Sequence, residues 1–231
     1  MATLRELNIL FERVRREGAG KALRLTSGHV GSLARSLIED IRRGVSTTRE
    51  VRDEELGFRD RQNHAYVATD YEIFRKAIRS IDIRAGEDVF VDFGSGKGRP
   101  VLLAAEYPFR RVIGVEYSKQ LHDAACQNLR LSKRLVCQDV ELVHADAGEW
   151  AIPPDATVLF FFNPFEGQVL AKVCDNIRAS IAAAPRRITI IYVRADKFFE
   201  REIDWAEWLV KAHDFPCSDG LVAIYHNRPL A

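Results

Sequence analysis

Five short, near-continuous apolar runs constrain what this chain can fold into: Val89 to Val91, Val112 to Val115, Val140 to Val143, Val158 to Phe162 and Ile188 to Val193. Such runs suit strands buried on both faces. Between them the sequence reads as helix, notably over Lys119 to Leu131 and Gln168 to Ala183. Strand and helix alternating in this way predict parallel pairing through right-handed crossovers, a doubly wound α/β sheet. The end departs from the pattern. Trp205 to Lys211 and Leu221 to His226 are joined by Pro216 to Gly220, a turn too short for a crossover helix, which predicts an antiparallel pair at one edge of the sheet.

Ahead of the alternation lie two amphipathic segments. Leu4, Leu7, Phe11 and Val14 form one apolar stripe, and Leu33, Leu37, Ile38 and Ile41 form a second that Gly44 stops; both read as helices covering a core. Residues 46–65 are polar and charged and read as a linker or mobile loop. Thr69-x-x-Glu72 matches a capping box for a helix marked by Tyr71, Phe74, Ala77, Ile78 and Ile81. The expected organisation is therefore an N-terminal helical cap and linker over 1–62 and one main domain over 63–231, within reach of a chain of 231 residues that is 47% hydrophobic. Residues 1–52 carry eleven Arg or Lys against six Asp or Glu, so the front end is basic although the whole chain has a net charge of only +1. That balance gives no overall pull toward nucleic acid or an anionic membrane.

Other classes are disfavoured by what the residues do not pair with. Cys126, Cys137, Cys174 and Cys217 show neither a C-x-x-C pair nor histidines at zinc spacing, so neither a metal site nor a disulfide framework is expected, and they read as reduced thiols. The longest apolar run, Ala156 to Phe162, is far below the roughly 18 residues of a membrane span. The beginning has no signal-peptide core, and Glu6, Glu12 and Glu17 do not suit a transit peptide, so the cytoplasm is the expected compartment.

Chemistry concentrates in Phe90 to Val101, FVDFGSGKGRPV. In an open α/β sheet the first strand-to-helix turn is where a nucleotide-like ligand binds, and glycine there lets the backbone approach it. Gly94, Ser95, Gly96 and Gly98 form that cradle, and Pro100 suits the first turn of the following helix. A dinucleotide fingerprint needs glycine where Arg99 stands. The Asp92 carboxylate would repel a pyrophosphate but suits a ligand carrying an ammonium and a sulfonium. Glu116 ends the second strand, placed to accept ribose hydroxyls from any nucleoside. Asp146 in HADAGEW ends the third, either to accept from an adenine amino group or to cap a short helix.

DFGSGKGR, GVEYS, ADAGEW and FFNPFEG, in that order, resemble the motif series of the class I S-adenosylmethionine-dependent methyltransferases over about residues 63 to 226. The resemblance implies a mostly parallel, Rossmann-like seven-stranded sheet with the antiparallel edge pair, S-adenosyl-L-methionine as cofactor, and cofactor contacts from Asp92, Gly94, Ser95, Gly96, Gly98, Glu116, Asp146 and Ala147. Within the class the chain most resembles the lysine methyltransferases of the disruptor-of-telomeric-silencing type, through Tyr66-Val67-Ala68-Thr69, Asp92-Phe93-Gly94-Ser95-Gly96 and Asn163-Pro164-Phe165. That likeness adds Tyr66 and Thr69 to the cofactor contacts and makes a protein lysine a candidate acceptor. Two departures argue against chromatin as substrate: Pro164 replaces that group's second asparagine, and its basic C-terminal extension is absent.

Methyl transfer from a sulfonium asks for alignment and dryness rather than an acid–base triad. Asn163 would accept a hydrogen bond from an acceptor amine, Pro164 would fix the backbone, and Phe165 would wall the methyl channel; alternatively Asn163-Pro164 only starts a turn. Tyr66 as a packed aromatic and Thr69 as a plain helix cap remain open beside cofactor contact. Lys97 and Arg99 read either as partners of a ligand carboxylate or as a solvated loop pair. Trp205 and Trp208 read as packing, and His64, His122 and His226 receive no role. The expected activity is N-methylation of a protein amine or a small molecule. A nicotinamide-dependent oxidoreductase and a non-catalytic cofactor-binding module are the alternatives.

Overall fold

A computed structural model of the protein describes residues 29–49, 51, 66–195, 207–217 and 220–228. The first amphipathic stripe, His64 and Trp205 lie outside these residues. In chain order the described elements are α1 (His29–Arg43), α2 (Tyr71–Arg79), β1 (Val89–Phe93), α3 (Arg99–Ala104), β2 (Arg111–Glu116), α4 (Lys119–Leu131), β3 (Val140–His144), β4 (Val158–Phe162), α5 (Gly167–Ala183), β5 (Thr189–Val193), β6 (Leu209–Cys217) and β7 (Gly220–Asn227).

The seven strands form one sheet in the order β3-β2-β1-β4-β5-β7-β6. β1, β2, β3, β4 and β5 are parallel, while β7 runs antiparallel between β5 and β6. The apolar runs thus become strands, and the closing pair is the expected antiparallel edge. β6 begins at Leu209 and continues through Pro216 to Cys217, so Pro216 and Cys217, which the sequence placed in the connection, belong to the strand. Pro216 is tolerated there because β6 is the edge strand and a missing ladder donor costs little on its outer side.

Successive residues of β1 point to opposite faces, so Val89, Val91 and Phe93 join one apolar cluster with α5, while Phe90 joins another with α2 and α3. On the first face the rings of Phe93, Phe161 and Tyr192 stack across β1, β4 and β5 with centroids 4.8 and 5.3 Å apart. On the second, Phe160 meets Phe74 of α2 at 5.4 Å and Phe90 at 6.0 Å. Trp208 is buried in the first cluster, as packing predicts.

Three readings ahead of β1 are corrected. α1 is helical and stops at Gly44, whose φ of 74° suits glycine, but its apolar stripe is not the buried face. Ile41 is 78% exposed, and Leu37 and Ile38 are also exposed, whereas Ser36, Asp40 and Arg43 are buried. Residues 46–49 are no loose linker either: Thr47 and Thr48 are buried against Asp40. The helix after them is capped by Asp70, whose Oδ1 accepts from the backbone N–H groups of Glu72 and Ile73, not by Thr69.

Because Phe160 is fully enclosed between α2 and β1, Phe160→Ala should cost about 3–5 kcal/mol of stability, read from urea unfolding as a lower midpoint at an unchanged m-value.

Candidate ligand site at the carboxyl ends of β1 and β4

The chain leaves β1 for β2 on one side and returns through β4 on the other, so the crevice between the carboxyl ends of β1 and β4 is the topological switch point. The glycine loop occupies it. Gly94, Gly96 and Gly98 all have positive φ, at 73°, 56° and 82°. A Cβ on Gly94 would lie 2.5 Å from the Pro164 Cβ, and one on Gly96 would lie 2.3 Å from the Tyr66 ring. Glycine is therefore required twice over, by backbone conformation and by close approach. The same contacts bring Asn163-Pro164 and Tyr66 to the loop from either side of it in the sequence.

Asp92 and Glu116 leave adjacent strands on the same face, since Asp92 pairs with Gly114 two residues before Glu116. Asp92 is 1% exposed, and its Oδ2 has no hydrogen-bond partner. Burial, with the Glu116 carboxylate nearby as the lesser cause, holds its pKa well above the usual carboxylate range. Burial also raises Glu116, against the opposing effect of backbone donors. Glu116 accepts at Oε2 from Gly96 N–H (2.8 Å) and at Oε1 from Ser118 N–H (2.7 Å). Gly94 and Ser95 donate their N–H groups to the Val115 carbonyl, and Gly98 donates to that of Ser95.

Among the described residues, Ser95 Oγ in the loop and Asn163 Oδ1 just beyond β4 are also buried polar atoms without partners, as is Arg111 Nε at the start of β2. Asn163 has φ of 42° and Arg194, just beyond β5, has φ of 64°; among the described residues these are the two non-glycine residues with positive φ. The register Phe162↔Val193 makes them neighbours at the ends of adjacent strands, and the Arg194 guanidinium lies 5.0 Å over the Phe162 ring. Backbone strain of this kind concentrates where a chain holds ligands.

Other expected positions have local jobs. Asp146 is exposed and its Oδ1 accepts from Gly148 N–H at 2.8 Å, closing its own turn, while Ala147 is buried in the core beside Trp150. Phe165 is buried edge-on against Phe161 and packs with the core cluster. Tyr66 packs on Gly96 and donates its OH to the Thr47 carbonyl at 2.7 Å. Thr69 is buried, with its carbonyl accepting from Arg99.

Lys97 and Arg99 are not a solvated pair. Both are buried: Lys97 Nζ donates to the Arg49 carbonyl at 2.6 Å, and Arg99 binds Thr47, Thr48 and Thr69 while facing Asp40. Sequence reading missed Asp40 because its partners lie 7 to 59 positions away. The one local signal was a polar pair, Thr47-Thr48, in a segment read as linker.

No protein-family model matches the chain, and no curated protein matches its sequence. Solved structures do match in fold. The precorrin-6y C5,15-methyltransferase from Geobacter metallireducens GS-15 is 17% identical over 71% of this chain and 90% of that one, with a TM-score of 0.50. A ribosomal protein L11 methylase from Lactobacillus delbrueckii subsp. bulgaricus is 13% identical over 69% of this chain and 78% of that one, with a TM-score of 0.52. The fold is that of the class I methyltransferases.

An acid with a raised folded pKa binds its proton more tightly in the native state than in the unfolded chain, so stability falls as pH rises above the unfolded value of 3.8. Asp92→Asn removes this ionisation. It should raise the melting temperature at pH 7 by about 2 °C or more, with the gain disappearing in melts below pH 3.8.

Proposed function

We propose that the protein is an S-adenosylmethionine-dependent methyltransferase that methylates a nitrogen acceptor. The observation that carries this reading is the group of three buried, unpartnered polar atoms, Asp92 Oδ2, Ser95 Oγ and Asn163 Oδ1, around a glycine loop at the switch point of this fold. Buried polar groups are ordinarily satisfied, and a concentration of exceptions marks places where a ligand supplies the partners.

The residues fit the group. Asp92 offers a carboxyl to an ammonium, and Glu116 offers a carboxyl to ribose hydroxyls. They fit a pyrophosphate poorly, because Gly94, Ser95, Gly96 and Gly98 already spend their N–H groups on protein acceptors. That disfavours a nicotinamide dinucleotide for a reason independent of Arg99 replacing the third glycine.

When bound, S-adenosylmethionine supplies a methyl group activated by the sulfonium. The chain's task is to present a nucleophile to it. Asn163 can accept a hydrogen bond from an incoming amine and orient its lone pair, with Pro164 packed on Gly94 fixing where that amide points relative to the loop. A free lysine has a pKa of about 10.4, so an amine of that kind must also lose its proton, which a partly apolar entrance favours. The narrower reading, a protein lysine, rests on the likeness of Tyr66-x-x-Thr69 and Asn163-Pro164-Phe165 to one methyltransferase group. Of the two neighbours described above, one is a methylase of a ribosomal protein and the other a precorrin methyltransferase, and the proposed acceptor is accordingly a protein amine or a small molecule.

Calorimetric titration with S-adenosylmethionine, S-adenosylhomocysteine and NADH should show saturable binding of the two sulfur ligands only, lost in Asp92→Ala. NADH binding alone would restore the oxidoreductase. Because φ of 42° at position 163 strains any residue with a Cβ, Asn163→Gly is the cleaner deletion of the amide. It should leave S-adenosylhomocysteine affinity within about twofold while lowering methyl transfer to the acceptor fraction of a lysate by about 100-fold, the usual scale for losing one positioning hydrogen bond.

A further inference from the structure

The loop that forms the ligand cradle is held from behind, and what holds it is the segment the sequence presented as a separate cap. Three ties run from residues 40–49 to three loop-proximal positions. At Gly96, the Tyr66 ring lies against the glycine while its OH donates to the Thr47 carbonyl at 2.7 Å. At Lys97, Nζ donates to the Arg49 carbonyl at 2.6 Å; its own carbonyl accepts from Asn128 Nδ2 at 3.0 Å, and Asn128 Oδ1 accepts from Ser46 N–H at 2.8 Å. At Arg99, directly after the last glycine, the guanidinium donates to Thr47 Oγ1 (2.7 Å), Thr48 Oγ1 (2.7 Å) and the Thr69 carbonyl (2.8 Å), with Asp40 Oδ1 at 3.5 Å.

Arg99 is 2% exposed and Asp40 is 4% exposed, so this is a charge pair withdrawn from water. Asp40 is almost saturated. It accepts from the N–H and hydroxyl of both Thr47 and Thr48 at 2.7 to 2.8 Å and from Tyr71 OH at 2.5 Å. Burial alone would raise its pKa, but Tyr71, Arg99 and the two threonines outweigh it and hold the carboxyl below its ordinary value. A buried ion pair is poor evidence for stability, since apolar residues of similar volume often do as well. Its value lies in permitting one arrangement only, because any other leaves a charge unpaired in the interior. Here the arrangement so specified is that of the residue flanking the glycine loop.

We propose that Arg99 is a positioning residue for the cofactor, locking residues 40–49 onto the glycine loop so that cofactor affinity and the order of that segment are coupled. The proposal rests on the S-adenosylmethionine reading of the loop. Arg99 itself turns away from the cradle and acts through Gly98 and the Thr47–Tyr66–Gly96 contact. By linkage, whatever factor the ordered segment adds to cofactor affinity, the bound cofactor adds to the order of the segment.

The test uses the whole protein and S-adenosylhomocysteine as probe. Arg99→Lys keeps the charge but cannot reach three acceptors in a fork, and Thr48→Val removes one acceptor. Arg99→Lys should weaken binding about tenfold or more, with a smaller loss in Thr48→Val. The ligand-induced rise in melting temperature at fixed ligand excess should shrink in parallel; a purely structural role would lower the unliganded melting temperature and leave that rise intact. In the wild type, saturating ligand should slow amide exchange over residues 40–49, including the Thr47 and Thr48 N–H groups held by Asp40. Wild-type affinity in Arg99→Lys, or exchange over residues 40–49 unmoved by saturating ligand, would overturn the proposal. Should Arg99→Lys not fold, Thr48→Val and the wild-type exchange decide it. Failure of the wild type itself to bind S-adenosylhomocysteine would instead sink the cofactor reading and this proposal with it.

Discussion

Burial of β1 on both faces is the constraint from which the rest follows. All five residues of the strand, Val89 to Phe93, are buried, and the strand lies between β2 and β4 at the centre of a seven-stranded sheet. A carboxyl at position 92 is then without water whichever face it takes, so its acidity is suppressed and its second oxygen lacks a donor. The same centrality puts the loop after β1 at the point where the chain reverses its direction of growth, and there the turn after β4 meets it. Pro164 against Gly94 is the contact that joins the two halves of the site.

Two buried polar groups of opposite condition flank that loop. Behind it, Asp40, Arg99, Thr47, Thr48 and Tyr71 complete one another's hydrogen bonds. In front of it, Asp92, Ser95 and Asn163 each keep an atom without a partner. The contrast separates support from site. A low-dielectric interior makes a completed network rigid and an incomplete one costly, and the incomplete one stands where a ligand can complete it. The strained backbone of Asn163 and Arg194, side by side at the ends of β4 and β5, lies on the same rim.

Helix α1 shows where pattern reading fails. Leu37, Ile38 and Ile41 recur at helical spacing, which ordinarily marks the core face, yet they are exposed while Asp40 and Arg43 are buried. Arg43 pairs with Glu106 at 2.7 Å and stacks over Tyr71, and Asp40 anchors the threonines, so α1 docks by charge complementarity rather than by apolar area. Periodicity measures hydrophobicity along one element. It carries no information about a partner 63 residues away. The same blindness made Arg99 look like a solvated loop residue and Thr69 a cap, when Asp70 is the cap and the Thr69 carbonyl belongs to Arg99.

What the sequence by itself determined was the sheet and the loop that makes the candidate site. Short apolar runs alternating with helices leave parallel pairing as the way to bury both faces, and alternate glycines after a buried strand mark a candidate place for a ligand. These are local properties, written in composition and spacing. What only the tertiary structure decided was which polar side chains are satisfied. Asp146 closes its own turn through Oδ1, while Thr47 and Thr48 in the segment read as linker bind Arg99 beside the loop. Hydrogen-bond saturation depends on groups converging from distant parts of the chain, and no window of sequence contains them together.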